Sequence, residues 1–213
     1  MATRESAVCA PEARALGRRM ISAAGDGDTD TVKRLLEEGA YIHTQDEHGR
    51  CALVAAAYNN RAEVFDLLVA AGADVNMKDD SIQSAFLIAA MGADDRTELL
   101  KKAIAAGADV NSTDSDNGTG LIRASDRGHV DVVRELLATD VRVNHVNRIG
   151  WTALLEAIIL GGGDARHTEI VRLLVAAGAD VNLPDKEGVT PLAHAESRKF
   201  TRIAAILKDA GAV

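Results

Sequence analysis

Val69-Ala-Ala-Gly72-Ala-Asp-Val-Asn76 returns as Ile104-Ala-Ala-Gly107-Ala-Asp-Val-Asn111, and again as Val175-Ala-Ala-Gly178-Ala-Asp-Val-Asn182. Weaker copies are Leu36-Glu-Glu-Gly39-Ala-Tyr-Ile-His43, Leu137-Ala-Thr-Asp140-Val-Arg-Val-Asn144 and Asp209-Ala-Gly211-Ala-Val213. With the glycine place as marker, at 39, 72, 107, 140, 178 and 211, the intervals are 33, 35, 33, 38 and 33 residues. A fixed period in that range means stacked units, a solenoid. Such a scaffold presents a surface, and the surface has to be read separately for function.

Residues 46–78 show what one unit contains. Asp46-Glu-His-Gly49 has the Asx and glycine chemistry of a tight turn. Residues 51–60 are Ala-rich and short, and residues 61–71 carry Val64, Phe65, Leu67 and Leu68 at helical spacing. Gly72 follows where a helix ends in a left-handed residue. Each unit is therefore expected to be a turn and two short antiparallel helices. Neither helix is long enough to stand alone in water, so stability must come from stacking neighbouring copies.

These motifs resemble the ankyrin repeat family. Its Asp-x-x-Gly-x-Thr-Pro-Leu-His opening is best matched by Asp185-Lys-Glu-Gly-Val-Thr190-Pro191-Leu192-Ala193, then by Asn147-Arg-Ile-Gly-Trp-Thr152-Ala-Leu154-Leu155. Its second-helix pattern is matched by Gly128-His129-Val-Asp-Val-Val-Arg-Glu-Leu136-Leu137 and by His167-Thr-Glu-Ile-Val-Arg-Leu-Leu174. The resemblance implies an all-α solenoid of about six helix–turn–helix units joined by β-turn or hairpin loops. Residues 1–17 form a tail and the start of a capping helix. Residues 18–213 form the repeat domain, in units 18–45, 46–78, 79–113, 114–146, 147–184 and 185–213.

One departure is systematic. The family's His after the Leu is replaced by Ile21, Val54, Leu87, Ile122, Leu155 and Ala193. Because that His ties neighbouring units together, polar bonding between units should be weaker and apolar burial should carry more.

Composition narrows the function. A net charge of −8, with lysines and arginines scattered, argues against a duplex-binding protein, which needs a basic face. The two cysteines, Cys9 and Cys51, form no metal or redox spacing, and Cys51 stands where the family has the Thr that opens the first helix. No apolar run approaches the roughly 18 residues of a membrane span, and the first twenty residues are charged rather than signal-like. The expectation is a cytoplasmic monomer without cofactor or metal. Residues 1–10 should be frayed, Pro11 should open a shielding helix over 11–24, and Lys208 should give the last unit a polar outer place.

Phosphate-loop, Rossmann, zinc-protease and serine-hydrolase signatures are missing from the sequence. Gly161-Gly-Gly-Asp164 reads as part of a five-residue insertion, 162–166, that lengthens the turn between two helices.

In the family, ligands are held by turn tips and by the exposed face of the first helices, which together form a concave groove. Helical spacing puts Tyr58, Met91, Asp126, Arg127 and Arg198 on that face, with Arg148 on a turn tip. Ile149, Trp151, Ile159 and Leu160 add an apolar patch in the fifth unit, with Val189 next door. Such a patch, with Trp as its anchor, marks an interaction site; the other reading of Ile159 and Leu160 is that the neighbouring unit or the inserted loop covers them. Arg123, Glu156 and His194 hold equivalent places in three successive units. One reading is an ion pair between units. The other is an acid–base group, with Glu156 and His194 carrying protons and an arginine holding an anion. The leading expectation is a non-catalytic scaffold that binds another protein; the alternative is an enzyme or small-molecule binder using this row.

Overall fold

The computed structural model describes residues 11–92 and 96–213, so the expected fraying of residues 1–10 lies outside the described residues. These residues form twelve α-helices, and the only extended pairing among them is two isolated antiparallel bridges, Lys78 with Ser84 and Thr113 with Thr119. The described residues divide into two compact units, the first containing 11–89 and 98–109 and the second 90–92, 96–97 and 110–213.

Unit 1 contains α1 (Pro11–Asp26), α2 (Thr29–Glu37), α3 (Ala52–Tyr58) and α4 (Ala62–Ala70), with most of α5 (Ala85–Met91) and α6 (Thr97–Ala105). Helix α1 packs on α2 and α3, and α4 on α2 and α3. The core includes Met20, Leu35, Leu53, Phe65 and Leu68, all fully buried.

Unit 2 contains α7 (Gly120–Asp126), α8 (Val130–Leu137), α9 (Ala153–Ile159), α10 (Ala165–Ala176), α11 (Pro191–Ser197) and α12 (Thr201–Asp209). Here first helices stack on first helices, α7 on α9 on α11, and second helices likewise, α8 on α10 on α12. Leu121, Leu136, Leu155, Leu174 and Leu207 are sealed between them.

Local sequence explains the helix boundaries. The hydroxyls of Thr119, Thr152 and Thr190 accept from the backbone N–H three residues on, capping α7, α9 and α11. Cys51 starts α3 without such a bond and is buried, as a small apolar filler would be. Gly72, at φ 90°, ends α4 in the left-handed region. Asp140 does not take that conformation; instead the N–H and hydroxyl of Thr139 both donate to the Leu136 carbonyl, at 3.0 and 2.6 Å, and close α8.

Three expectations are revised. Ile21, Val54, Leu87, Ile122 and Leu155 are buried as apolar packing requires, but Ala193 is exposed. Polar bonding between successive helix pairs is extensive, because the recurring Asn works as a two-armed clasp. Asn144 accepts from Asp180 N–H (2.8 Å) and donates to the Gly178 carbonyl (3.2 Å). Asn76, Asn111 and Asn182 repeat the pattern on 109 and 107, 142 and 140, and 213 and 211. The insertion lengthens a helix as well as a turn: α10 begins at Ala165 and has 12 residues, against 8 in α8.

The same insertion has a packed interior. A side chain at Gly163 would overlap the Phe200 ring, and one at Gly161 would overlap the Ala157 carbonyl. Asp164 accepts from the His167 N–H (2.9 Å) and places its own carboxylate at the start of α10. That acidic group occupies the place a bound phosphate would need.

Candidate functional site

Three turn residues in unit 2 are built alike. Asp114, Asn147 and Asp185 each use Oδ1 to accept two backbone N–H groups of their own turn, from 116 and 118, 149 and 151, and 187 and 189. The other arm reaches a side chain nine residues on, in the first helix that follows. Asp114 Oδ2 accepts from Arg123 Nε at 2.6 Å, Asn147 Nδ2 donates to Glu156 Oε1 at 2.7 Å, and Asp185 Oδ2 meets His194 Nε2 at 2.7 Å. The chemistry of each pair is complementary: two carboxylates face basic side chains, and the one amide donor faces a carboxylate.

This corrects the expectation of an ion pair running between units. Each member of the Arg123, Glu156, His194 row is tied within its own turn and helix, and Arg123 is engaged twice, since Nη2 also reaches Asp116 at 3.0 Å. Arg123 and His194 are therefore occupied by carboxylates of their own turns. Burial works to raise the Asp114 carboxyl, but the Arg123 guanidinium and the N–H groups of Gly118 and Asp116 outweigh it and hold the group below its usual range. Asp185 is lowered in the same way, with burial opposed by Val189 N–H and His194.

Glu156 goes the other way. It is only 2% exposed, and burial, reinforced by the nearby Asp126 and Asp114 charges, pushes its carboxyl up to about 7 against the weaker pull of Arg123 and Asn147. That places a buried carboxyl of the row within reach of proton exchange near neutrality. Three concavities of unit 2, of about 420, 370 and 220 Å³, have none of the row residues in their linings.

The expected contact residues are distributed as follows. Ile149 is 52% and Leu160 54% exposed, Trp151 and Val189 are half-buried, and Ile159, at 9% exposure, lies in the core and offers little contact area. Arg127, Arg148 and Arg198 are exposed. Arg127 Nη1 donates to the carbonyl of half-buried Met91 at 3.2 Å, and the Asp126 carbonyl meets His167 Nε2 at 3.0 Å. Arg148 N–H donates to Asp116 O at 2.9 Å, linking successive turn tips, and its own carbonyl accepts from the Lys186 ammonium. Tyr58 belongs to unit 1, where its hydroxyl donates to Asp79 Oδ2 at 2.7 Å.

Sequence reasoning missed Asp114, Asn147 and Asp185 as partners of the row. Their constant nine-residue offset is visible in the sequence, but that the turn side chain folds back onto the row residue is not. It also missed Val146, 39% exposed beside the same turn.

Comparison with known proteins settles the family. The profile described as ankyrin repeats (3 copies) matches residues 18–79 and 86–185. An ankyrin repeat protein of Escherichia coli K12, YahD, is 42% identical over 193 residues, 90% of this chain and 95% of that protein. A crystal structure of an ankyrin repeat domain from Acinetobacter baumannii AYE superposes with a TM-score of 0.88 at 44% identity, covering 92% of this chain and 98% of the other. A second solved structure, the ankyrin repeat protein EF0377, gives 0.82 at 33% identity, covering 89% and 96%. The chain belongs to the ankyrin repeat family. Ankyrin repeats are generally protein–protein interaction modules. Among the described residues no helix is long and apolar enough to cross a membrane.

Proposed function

We propose that this chain is a non-catalytic scaffold that holds another protein on the face of unit 2 formed by turn tips and first helices. The observation that carries this reading is the exposure of two large apolar side chains in one repeat, Ile149 in the turn before α9 and Leu160 at its C-cap, each more than half exposed, with Trp151 half-buried. Exposed apolar side chains together with charged ones such as Arg127, Arg148 and Arg198 have the composition of a contact surface. The reading takes the repeat boundaries as given above and the working form as a monomer in the cytoplasm. Affinity capture from the native cytoplasm with wild type and Trp151→Ala tests it: one protein should be retained by the first and depleted from the second.

One observation favours a second reading, acid–base chemistry in the groove: the near-neutral titration of Glu156. Against it, Arg123 and His194 are occupied by Asp114 and Asp185. If the row served a small molecule, Glu156→Gln and not Trp151→Ala would alter function.

A further inference from the structure

Unit 1 has a concavity of its own, about 320 Å³, between α1 and the α3 turn and helix. That volume is at the lower end of the roughly 300–1,000 Å³ of ligand sites. Its floor is apolar, from Ile21 and Ala55, and the Tyr58 side chain forms part of one wall.

Most of its polar groups are already committed. Asp46 accepts from Arg50 Nε and Nη2, both at 2.8 Å, and from the N–H groups of His48 and Arg50, both at 2.9 Å. The Tyr58 hydroxyl is held by Asp79, and burial and that carboxylate together push its phenol up to about 12, so it stays neutral. Asn59 gives its amide to the Ala55 carbonyl at 3.3 Å.

Three groups are left. The Arg18 guanidinium and the Ser22 hydroxyl, one turn apart on α1, have no partner among the described residues; both are exposed and line the concavity. Asp26 is likewise unpartnered, and lies about 12 Å further along the helix axis at 1.5 Å per residue. Arg18 and Ser22, both open to solvent, thus offer donors to one acceptor group at that end of the concavity. A single negative charge matches the single uncommitted cation, whereas a phosphate dianion would face Asp26 and Asp46 with only one free guanidinium. Planar carboxylate also suits the guanidinium fork. The exposure of Arg18 and Ser22 argues against a free small molecule, because such ligands bury about 70–90% of their surface. A side chain projecting from a larger partner brings its own cover.

We propose that the Arg18–Ser22 concavity is a second partner-contact site, accepting an acidic side chain from a peptide segment whose apolar neighbour lies along Ile21, Ala55 and the Tyr58 ring. It rests on the reading of the chain as a protein-binding module, and adds a site on unit 1 that the Trp151 experiment does not probe.

The test is a ¹⁵N chemical-shift titration of the full chain with acetyl-Leu-Glu-Leu-amide and, separately, acetyl-Leu-Gln-Leu-amide. The glutamate peptide should move the amide signals of Ser22, Gly25 and Asn59 saturably. The glutamine peptide should bind about tenfold more weakly, and Arg18→Gln should abolish that preference while Arg148→Gln preserves it. Inorganic phosphate at the same concentration should leave these signals in place. Equal binding of the two peptides, a preference that survives Arg18→Gln, or the same shifts with phosphate would each overturn the site. Because Arg18 is exposed, the variant should keep the wild-type circular dichroism spectrum. Failure here leaves the unit 2 surface standing, since its capture experiment turns on Trp151.

Discussion

Asn147 and Glu156 are locked together 2.7 Å apart, the amide of a turn residue donating to a carboxylate that is 2% exposed. In the flanking turns the same geometry joins Asp114 to Arg123 and Asp185 to His194. The structure therefore holds a buried acid where both neighbouring turns hold a basic side chain against a carboxylate, and the burial of Glu156 has a measurable pH consequence.

A carboxyl near 7 in the folded state, against about 4.5 when unfolded, binds more protons folded than unfolded between those values. Its contribution to stability is therefore greatest below about pH 4.5 and is lost as pH rises towards and past 7. Glu156→Gln keeps an oxygen for Asn147 and removes the titration. Urea denaturation should show the variant more stable than wild type at pH 8, by on the order of 2 kcal/mol, with the difference shrinking towards pH 5. A difference that is flat with pH would show that Glu156 is solvated like an ordinary carboxylate.

Asp114 and Asp185 have the opposite sign. Their folded carboxyls lie below the usual range, so the stability they supply is present above about pH 4 and is lost as pH falls through their folded values. Asp114→Asn should flatten the acid limb of wild-type unfolding without changing the limb between pH 5 and 7. Loss of the upper limb instead would assign that limb to the wrong group.

Ile82 sits at φ 60° in the turn after Asp79, a β-branched residue in a conformation taken by Gly49, Asn117, Gly150 and Gly188 at the other turns. The left-handed region costs such a side chain about 1–2 kcal/mol, and Ile82, 41% exposed, recovers little of that by burial. Ile82→Gly should raise the thermal midpoint by roughly 2–4 °C, corresponding to about 1 kcal/mol. A lowered midpoint would mean that the side chain's contacts outweigh the strain.

Lys208 is exposed on α12 and pairs with Glu196 at 2.7 Å beside the concavity lined by Ala195, Phe200, Ala204 and Ala205. Replacing it with leucine frees Glu196 of its partner and enlarges the apolar part of a concavity that Glu196, Lys199 and Thr201 also line. Lys208→Leu should keep the helical spectrum and associate with concentration in sedimentation velocity. A variant that sediments like wild type at high concentration would remove the solubilising role assigned to this lysine.

The fold was legible because its signal is repeated. A loop motif returning every 33–38 residues, with glycine at five of its six places, Thr ahead of three first helices and apolar stripes in the second helices all pointed to one architecture. What could not be read was anything that depended on which arm of a side chain faces which neighbour. Arg123, Glu156 and His194 occupy equivalent places, and helical spacing alone suggested a row; the partners chosen are turn residues nine positions earlier, set by how each turn folds back on its helix. Likewise, Asn76, Asn111, Asn144 and Asn182 were visible as a repeated letter, but their two-armed grip on the next loop needs coordinates. Ile159 and Leu160 are adjacent in sequence, yet one is buried and the other more than half exposed, because the helix ends between them.

The central claim is that a partner protein is bound through the Trp151 surface. Calorimetric titration of the captured partner with wild type, Trp151→Ala and Arg172→Ala tests it most directly. The account predicts that Trp151→Ala weakens binding tenfold or more, about 1.4 kcal/mol, with helix content unchanged. Arg172, exposed on the second helix α10 and paired with Glu169, should be replaceable by alanine without effect. Wild-type affinity in Trp151→Ala together with loss of binding in Arg172→Ala would contradict the account and move the partner to the second-helix face.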